Sequence, residues 1–236
     1  MRTRFFRLWE VLVLVLCISA ASAKFASAAT AQKKGIDAAL LAKANAGDAE
    51  AQYKIGNMYN FGDGVRRDYA QALVWYRKGA EQGDPKSEFQ FGGLYHLGHG
   101  VPQDDAQGFA WIMKAAEQGH TDAEFFISTC YGEGWGVAKD NTQEMAWLRK
   151  GAEQGHFNSQ LFLGRAYAAG IDGVPVDYAE AYFWLDLAAS GEVTRKERKE
   201  TLKRRDEAES RLTPAELSQI QERVQHWVKD HPTQTN

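Results

Sequence analysis

Residues 49–84 read AEAQYKIGNMYNFGDGVRRDYAQALVWYRKGAEQGD, and residues 85–120 read PKSEFQFGGLYHLGHGVPQDDAQGFAWIMKAAEQGH. Set one above the other, the two segments agree at 14 of 36 positions, where average amino-acid usage yields roughly two. The period is therefore 36 residues. Gly56, Tyr59, Gly62, Gly64, Val65, Asp68, Trp75, Ala80 and Gly83 return as Gly92, Tyr95, Gly98, Gly100, Val101, Asp104, Trp111, Ala116 and Gly119. A third copy supplies Ser128, Tyr131, Gly134, Gly136, Val137, Asp140, Trp147, Ala152 and Gly155. A looser fourth, with one residue inserted in its turn, supplies Gly164, Tyr167, Gly170, Gly173, Val174, Asp177, Trp184 and Ala189. A period of this length marks an array of stacked supersecondary units.

Within one unit, Ala51, Ile55, Met58 and Tyr59 fall on one helical face, and Ala72, Trp75, Tyr76, Gly79 and Ala80 fall on another. Each unit is predicted to be two amphipathic helices. Gly62 and Gly64 supply the turn, Asp68 and its equivalents stand where the second helix needs an N-cap acceptor, and Gly83 is placed as a C-cap. Asp84 followed by Pro85 reads as N-cap and first helical residue. Gly56 and Ala80 are expected to let the two backbones approach while Trp75 and Tyr59 fill the space between units. One such pair cannot bury both faces, so stacking is what stabilises the array.

The pattern Ala51-x-Tyr53-x-Ile55-Gly56-x-Met58-Tyr59-x-x-Gly62-x-Gly64-Val65-x-x-Asp68, with Ala72, Trp75 and Lys78-Gly79-Ala80-Glu81-Gln82-Gly83, resembles the Sel1-like repeat, a relative of the tetratricopeptide repeat. The resemblance runs over units 49–84, 85–120, 121–156 and 157–191. It implies an all-α, right-handed superhelical solenoid of antiparallel helix pairs that serves as a protein-binding or adaptor scaffold, and it implies no reaction and no cofactor. Residues 29–48 are expected to hold a linker and a capping helix, and residues 192–230 capping helices, with 231–236 a frayed tail. Thr213-Pro214-Ala215-Glu216 has the form of a capping box opening a helix whose apolar stripe is Leu217, Ile220, Val224 and Trp227.

The N-terminus differs in character from the array. Arg2, Arg4 and Arg7 precede an apolar run from Val11 to Ala23, the layout of a secretory signal peptide. Ala21-Ser22-Ala23 and Ala26-Ser27-Ala28 both fit a cleavage site, so residues 1–28 are read as the signal with cleavage after Ala23 or Ala28. A retained anchor is the alternative, but the run has 13 residues where about 20 are needed to span a bilayer. The expected location is periplasmic or secreted. Loss of residues 1–28 removes four cations and one anion and takes the net charge from −3 to −6, which disfavours nucleic acid as a partner. It also removes Cys17 and leaves Cys130 alone, so no internal disulfide is expected. Cys130 aligns with Met58 and Leu94 and is expected to be buried.

No catalytic, cofactor-binding or metal-ligating set emerges. His96 and His99 form a His-x-x-His pair with no third ligand near in sequence, short of a zinc site. His120 and His156 align with Asp84 as helix-start residues. Glu81, Glu117 and Glu153 recur once per unit, a row and not a convergent acid/base pair. Some cysteine-rich Sel1-like proteins are linked to β-lactams, but the chain lacks their cysteine pairs and a Ser-x-x-Lys motif. An envelope enzyme, a β-lactam- or peptidoglycan-interacting protein, and a permanent subunit of an envelope assembly stand as the alternatives to a free scaffold.

Positions that vary while the core recurs are free to encode a ligand. Asn57, Gly93, Thr129 and Arg165 share one such position of the first helix; Asn60, His96, Gly132 and Ala168 share a second; Phe61, Leu97, Glu133 and Ala169 share a third. Asn57, Asn60, Phe61, His96 and Arg165 are the candidate partner-binding residues, on a concave face fitted to a protein or extended peptide. Alanine at Asn57, Asn60, Phe61 or Arg165 is expected to weaken binding with little change in stability.

Overall fold

A computed structural model describes residues 35–171, 173–191 and 193–231, and the reading of residues 1–28 as a signal lies outside them. Helix α1 (Ala38–Asn45) precedes four pairs: α2 (Ala49–Phe61) with α3 (Tyr69–Ala80), α4 (Pro85–Leu97) with α5 (Asp105–Glu117), α6 (Thr121–Glu133) with α7 (Asn141–Glu153), and α8 (Phe157–Ala169) with α9 (Tyr178–Ser190). Helices α10 (Arg195–Glu209) and α11 (Pro214–Asp230) follow. Among the described residues there is no strand. None of their helices is long and apolar enough to cross a membrane.

The pairs start and stop by local chemistry. Asp68, Asp104, Asp140 and Asp177 cap the second helices, each accepting a backbone N–H from two or three residues ahead. First helices end in left-handed glycines, Gly62, Gly98, Gly134 and Gly170, where any other L-residue meets a Cβ penalty. Each turn is closed by one backbone bond, from Asp68 N–H to the Tyr59 carbonyl at 2.9 Å and likewise from Asp104 to Tyr95 and Asp140 to Tyr131. In the fourth unit Asp177 donates to Tyr167, again at 2.9 Å. The inserted residue is thus absorbed inside the turn, without loss of the bond that sets the pair.

Small residues control the approach of helices in two directions. Within a pair, a Cβ on Gly56 would lie 2.5 Å from the ring of the fully buried Tyr76. Between units the small partner is Gly79, one residue before the expected Ala80: a Cβ there would collide with the Ser87 hydroxyl of the next unit. Gly151 meets Ser159 in the same way. At the intervening junction the pair is Ala115 and Ala123, both fully buried, so volume added on one helix is removed from the other, as close packing requires.

A polar ladder crosses each of the first three units. Gln82 donates to Gln52 at 2.7 Å, Gln118 to Glu88 at 2.6 Å and Gln154 to Glu124 at 2.8 Å. Gln52 in turn donates to the Ala44 carbonyl of the preceding helix at 2.9 Å, and Gln160 to the Ala152 carbonyl at 3.1 Å. A carboxylate at the same position cannot donate. In the third unit Lys150 takes over, bonding both the Ala116 carbonyl and Glu124 at 3.1 Å.

The repeat tryptophans pack as expected at the seams. Trp75 is buried with Ala44, Ala51 and Ile55 against α1, and the ammonium of Lys78 sits 4.0 Å above its ring. Lys114 and Lys150 cover Trp111 and Trp147 in the same manner. At the far end Tyr182, Phe183, Trp184 and Leu187 are covered by Ile220 and Val224 of α11. Thr213 and Glu216 make the predicted reciprocal capping box, and Thr194 with Glu197 makes another on α10.

Candidate partner-binding face of the first helices

Residues four apart on a helix share a face, so Tyr53, Asn57 and Phe61 form a stripe on α2. It is continued by Phe89, Gly93 and Leu97 on α4, Phe125, Thr129 and Glu133 on α6, and Leu161, Arg165 and Ala169 on α8. Phe61, Gly93, Leu97, Thr129, Glu133 and Arg165 are all partly accessible. A Cβ on Gly93 would meet nothing within 4 Å, so this point of the stripe is open space. One turn on either side stand Phe89 and Leu97. Arg165 stacks its guanidinium 5.0 Å from the centre of the Phe162 ring, and the Thr129 hydroxyl donates to the Phe125 carbonyl at 3.1 Å.

Two of the five candidate residues are placed differently from the sequence expectation. Asn60 is 7 % exposed and belongs to the interior. It joins Asn57 around the buried Tyr76 hydroxyl, which donates to Asn57 Oδ1 at 2.6 Å. Burial pushes the Tyr76 phenol well above its ordinary value while the Asn60 bond acts against that shift. Alanine at Asn57 or Asn60 therefore unsettles a buried phenol, contrary to the expectation that stability is spared. His96 is the second case. Its side chain is only 15 % exposed, with Nδ1 2.9 Å from Asp105 Oδ1 and its ring against Phe126 and Trp135 of the next unit.

The variation among Asn60, His96, Gly132 and Ala168 has a packing cause. Beside His96 stands Gly108, whose Cβ would lie 3.3 Å from that of His96. In the next unit the sizes are exchanged: Gly132 leaves the room that the Glu144 carboxylate occupies, within 2.7 Å of where a Cβ would be. Sequence carried this signal twelve residues downstream, in the pairs 60/72, 96/108 and 132/144. A search for variable positions on the first helix alone misses it.

The remaining chemistry-bearing residues serve the fold. His99 stacks on Tyr69 at 4.2 Å, away from the partners of His96. Among the described residues no group of three or more His, Cys, Asp or Glu side chains is arranged to hold a metal ion. Cys130 is 1 % exposed, and burial pushes its thiol far above the ordinary range, which suppresses the thiolate. His120 and His156 occupy the N-cap positions of α6 and α8, where Nδ1 accepts from Ala123 N–H at 3.3 Å and from Ser159 N–H at 3.4 Å.

Comparison with known proteins agrees with this architecture. The Sel1 repeat family model matches residues 49–84, 85–120, 121–156 and 158–192. A Sel1 repeat protein from Oxalobacter formigenes is 34% identical over 63% of this chain and 61% of its own length, with a TM-score of 0.60. A protective antigen of uropathogenic Escherichia coli strains that displays an SLR fold is 26% identical over 81% of this chain and 56% of its own length, with a TM-score of 0.43. The chain thus spans less than two thirds of either protein. No curated protein matches it. With the family model covering four consecutive helix pairs and the pairs packed in register, the chain belongs to the Sel1 repeat family.

Proposed function

We propose that this chain is an exported, non-catalytic scaffold that holds a segment of a partner protein across its first helices. Sel1 repeat proteins generally mediate protein–protein interaction, and the observation that directs the reading to this face is the gap at Gly93. In the row Asn57, Gly93, Thr129 and Arg165, that one position has no side chain and no neighbour within 4 Å of its Cβ. Phe89 and Leu97 stand one turn on either side of this open point, where a side chain of a bound segment would lie, and Phe61, Thr129 and Arg165 offer contacts along the row. Export rests on the basic and apolar pattern of residues 1–23.

The test begins with partner capture by crosslinking in cells. With that partner, Phe61→Ala and Arg165→Ala are expected to weaken binding at least fivefold. Gly93→Leu should block it by filling the gap, while its added helix propensity leaves the fold at least as stable. Gln71→Ala and Gln107→Ala, exposed on second helices, should leave binding unchanged. Loss of binding in the second-helix variants with retention in the first-helix set defeats the assignment. Mass determination of the secreted or periplasmic chain tests export, with a mature start at Lys24 or Ala29 expected.

A further inference from the structure

Helix α10 carries its charges against its own dipole. The first two turns hold Arg195, Lys196, Arg198 and Lys199 with two acids, Glu197 and Glu200, while the last turn holds Asp206, Glu207 and Glu209 and no base. Partial positive charge at a helix N-terminus favours acids there and bases at the other end, as in α11, which opens with Glu216 and closes with Lys229. Helix stability alone therefore does not account for the arrangement in α10.

Packing does not account for it either. The buried side is marked by Thr201 and Ala208, and Arg198 is used there, donating to the Ala189 and Gly191 carbonyls at the end of α9. Arg204 pairs with Glu200, and Arg205 with Asp186 and Asp206. Arg195, Lys196, Lys199 and Lys203 remain, all exposed and without an ion pair among the described residues. Residues 196, 199 and 203 lie along one solvent-facing side, opposite Thr201 and Ala208.

We infer that this side of α10 is a docking surface for a short acidic segment of a protein partner, separate from the face of the first helices. From Arg195 to Lys203 the patch is about 12 Å long, the span of about four extended residues. Its positive charge is reinforced by the N-terminal end of the helix dipole. Length and surroundings select the occupant. A polyanion running beyond the patch, such as nucleic acid, meets a chain whose net charge is −3 and is repelled. An anionic bilayer meets the same repulsion, and Leu202, the sole apolar residue from Arg195 to Lys203, is half-buried. Three or four carboxylates on an extended segment match the patch in size and charge.

Fluorescence anisotropy with labelled hexaglutamate tests this on the full chain. Binding at low salt is expected, falling steeply with ionic strength. The variant Lys196→Gln/Lys199→Gln/Lys203→Gln should lose at least tenfold in affinity, whereas the control Lys43→Gln/Lys86→Gln/Lys229→Gln, with the same change in net charge, should not. A second readout separates a ligand surface from a structural one: Arg195→Glu/Lys196→Glu should raise Tm by about 1–4 °C, because it aligns charge with the dipole. The inference is overturned if the wild type does not bind hexaglutamate, if both triple variants lose affinity alike, or if the glutamate substitutions lower Tm. Binding of phosphatidylglycerol vesicles through these lysines with none of hexaglutamate overturns it in favour of a lipid surface. A failed first-helix experiment leaves each of these outcomes readable, since the two surfaces share no residue.

Discussion

The first helices of units one and two are capped by carboxylates, and those of units three and four by imidazoles. Asp48 and Asp84 accept the N–H of Ala51 and Ser87 at 2.7 and 2.8 Å, whereas His120 and His156 accept at 3.3 and 3.4 Å. The longer bonds come with ring contacts that aspartate lacks. His120 stacks on Phe89 of the preceding unit at 5.1 Å, and His156 packs on Phe125 at 5.5 Å with Nε2 3.2 Å from Asp122. One repeat position is thus filled by two chemistries, a strong local cap in one half and a weaker cap that also bridges units in the other. An imidazole caps only while Nδ1 is unprotonated, a condition that the carboxylate caps of the other half do not share.

The largest expected effect tests what the halves share. At the first two of the three junctions between units a turn glycine rests on the first residue of the preceding unit's second helix: Gly100 on Tyr69 and Gly136 on Asp105. Both have positive φ, and a Cβ on Gly136 would fall deep inside the Asp105 carbonyl, with Ala106 N at 2.9 Å. Gly136→Ala is expected to cost about 3 kcal/mol or more, from left-handed strain together with backbone collision. Gly100→Ala, whose nearest backbone atoms stand at 2.7 Å, should cost somewhat less. Urea denaturation measures both. Equal and small losses mean that the units do not rest on these glycines, and the halves then differ in more than their caps.

The caps themselves come next. Asp84→Ala removes bonds to the Ser87 N–H and hydroxyl, the latter at 2.6 Å, and is expected to cost about 1–2 kcal/mol. His120→Ala should cost about 1 kcal/mol, shared between the cap and the ring on Phe89. His120→Asp restores a cap without the ring, and at pH 7 it should recover at least half of that loss. If it is as unstable as the alanine variant, stacking alone holds this junction.

How much of this was legible in the sequence follows from what recurs. Helix pairs, turn glycines and the caps Asp68, Asp104, Asp140 and Asp177 repeat at a fixed period, so each is visible four times. The equivalence of His120 and His156 to Asp84 was visible for the same reason, although the added bridge to Phe89 and Phe125 was not. The variation at Asn60 and His96 reads in the sequence as a candidate partner-binding surface, yet burial there is set by the neighbouring helix, with Tyr76 beside Asn60 and Gly108 beside His96. Gln82, Gln118 and Gln154 recur beside Glu81, Glu117 and Glu153, yet only the packed helices show that the glutamines cross the unit. The stretch from Arg195 to Lys203 mixes five cations with two acids, and only the packed helices show that Arg198 is used by α9 while the other four make no ion pair among the described residues.

A third comparison lies in the polar ladder, between its ends and its middle. Gln52 and Gln160 donate to the preceding helix, while Glu88, 3 % exposed, holds the same position without a donor hydrogen. Burial raises its pKa against the opposing attraction of Lys114. Glu88→Gln should keep the bond from Gln118, add one to the Ala80 carbonyl and stabilise the fold by about 1 kcal/mol. Glu124→Gln should give no such gain, because it discards the Lys150 pair. A loss of stability in the Glu88 variant shows that its negative charge has a partner in solution which the helix geometry does not reveal.

The smallest effect is the pH response of the imidazole cap. Burial holds His120 below the ordinary histidine value, and Lys86 adds to that depression while Asp122 and Asp84 act against it. The unfolded chain therefore takes up its proton first as pH falls. Stability from the neutral cap is fully present above about 6.5 and is lost as pH drops from there toward the lowered folded value. Glu88 works in the opposite sense, since its raised pKa makes the fold less stable as pH rises from about 4.5. His99, depressed by burial and by Arg67, has the same sign as His120. The comparison is therefore made in the Glu88→Gln background, between chains with and without His120→Asp, so that His99 contributes equally to both. Between pH 8 and 5 the Tm of the histidine-capped chain should fall by a few degrees more than that of the aspartate-capped chain, at about 2–4 °C per kcal/mol. Parallel curves would show that His120 keeps the same proton occupancy whether or not α6 is folded, and the two halves of the array would then differ in cap length without differing in their response to acid.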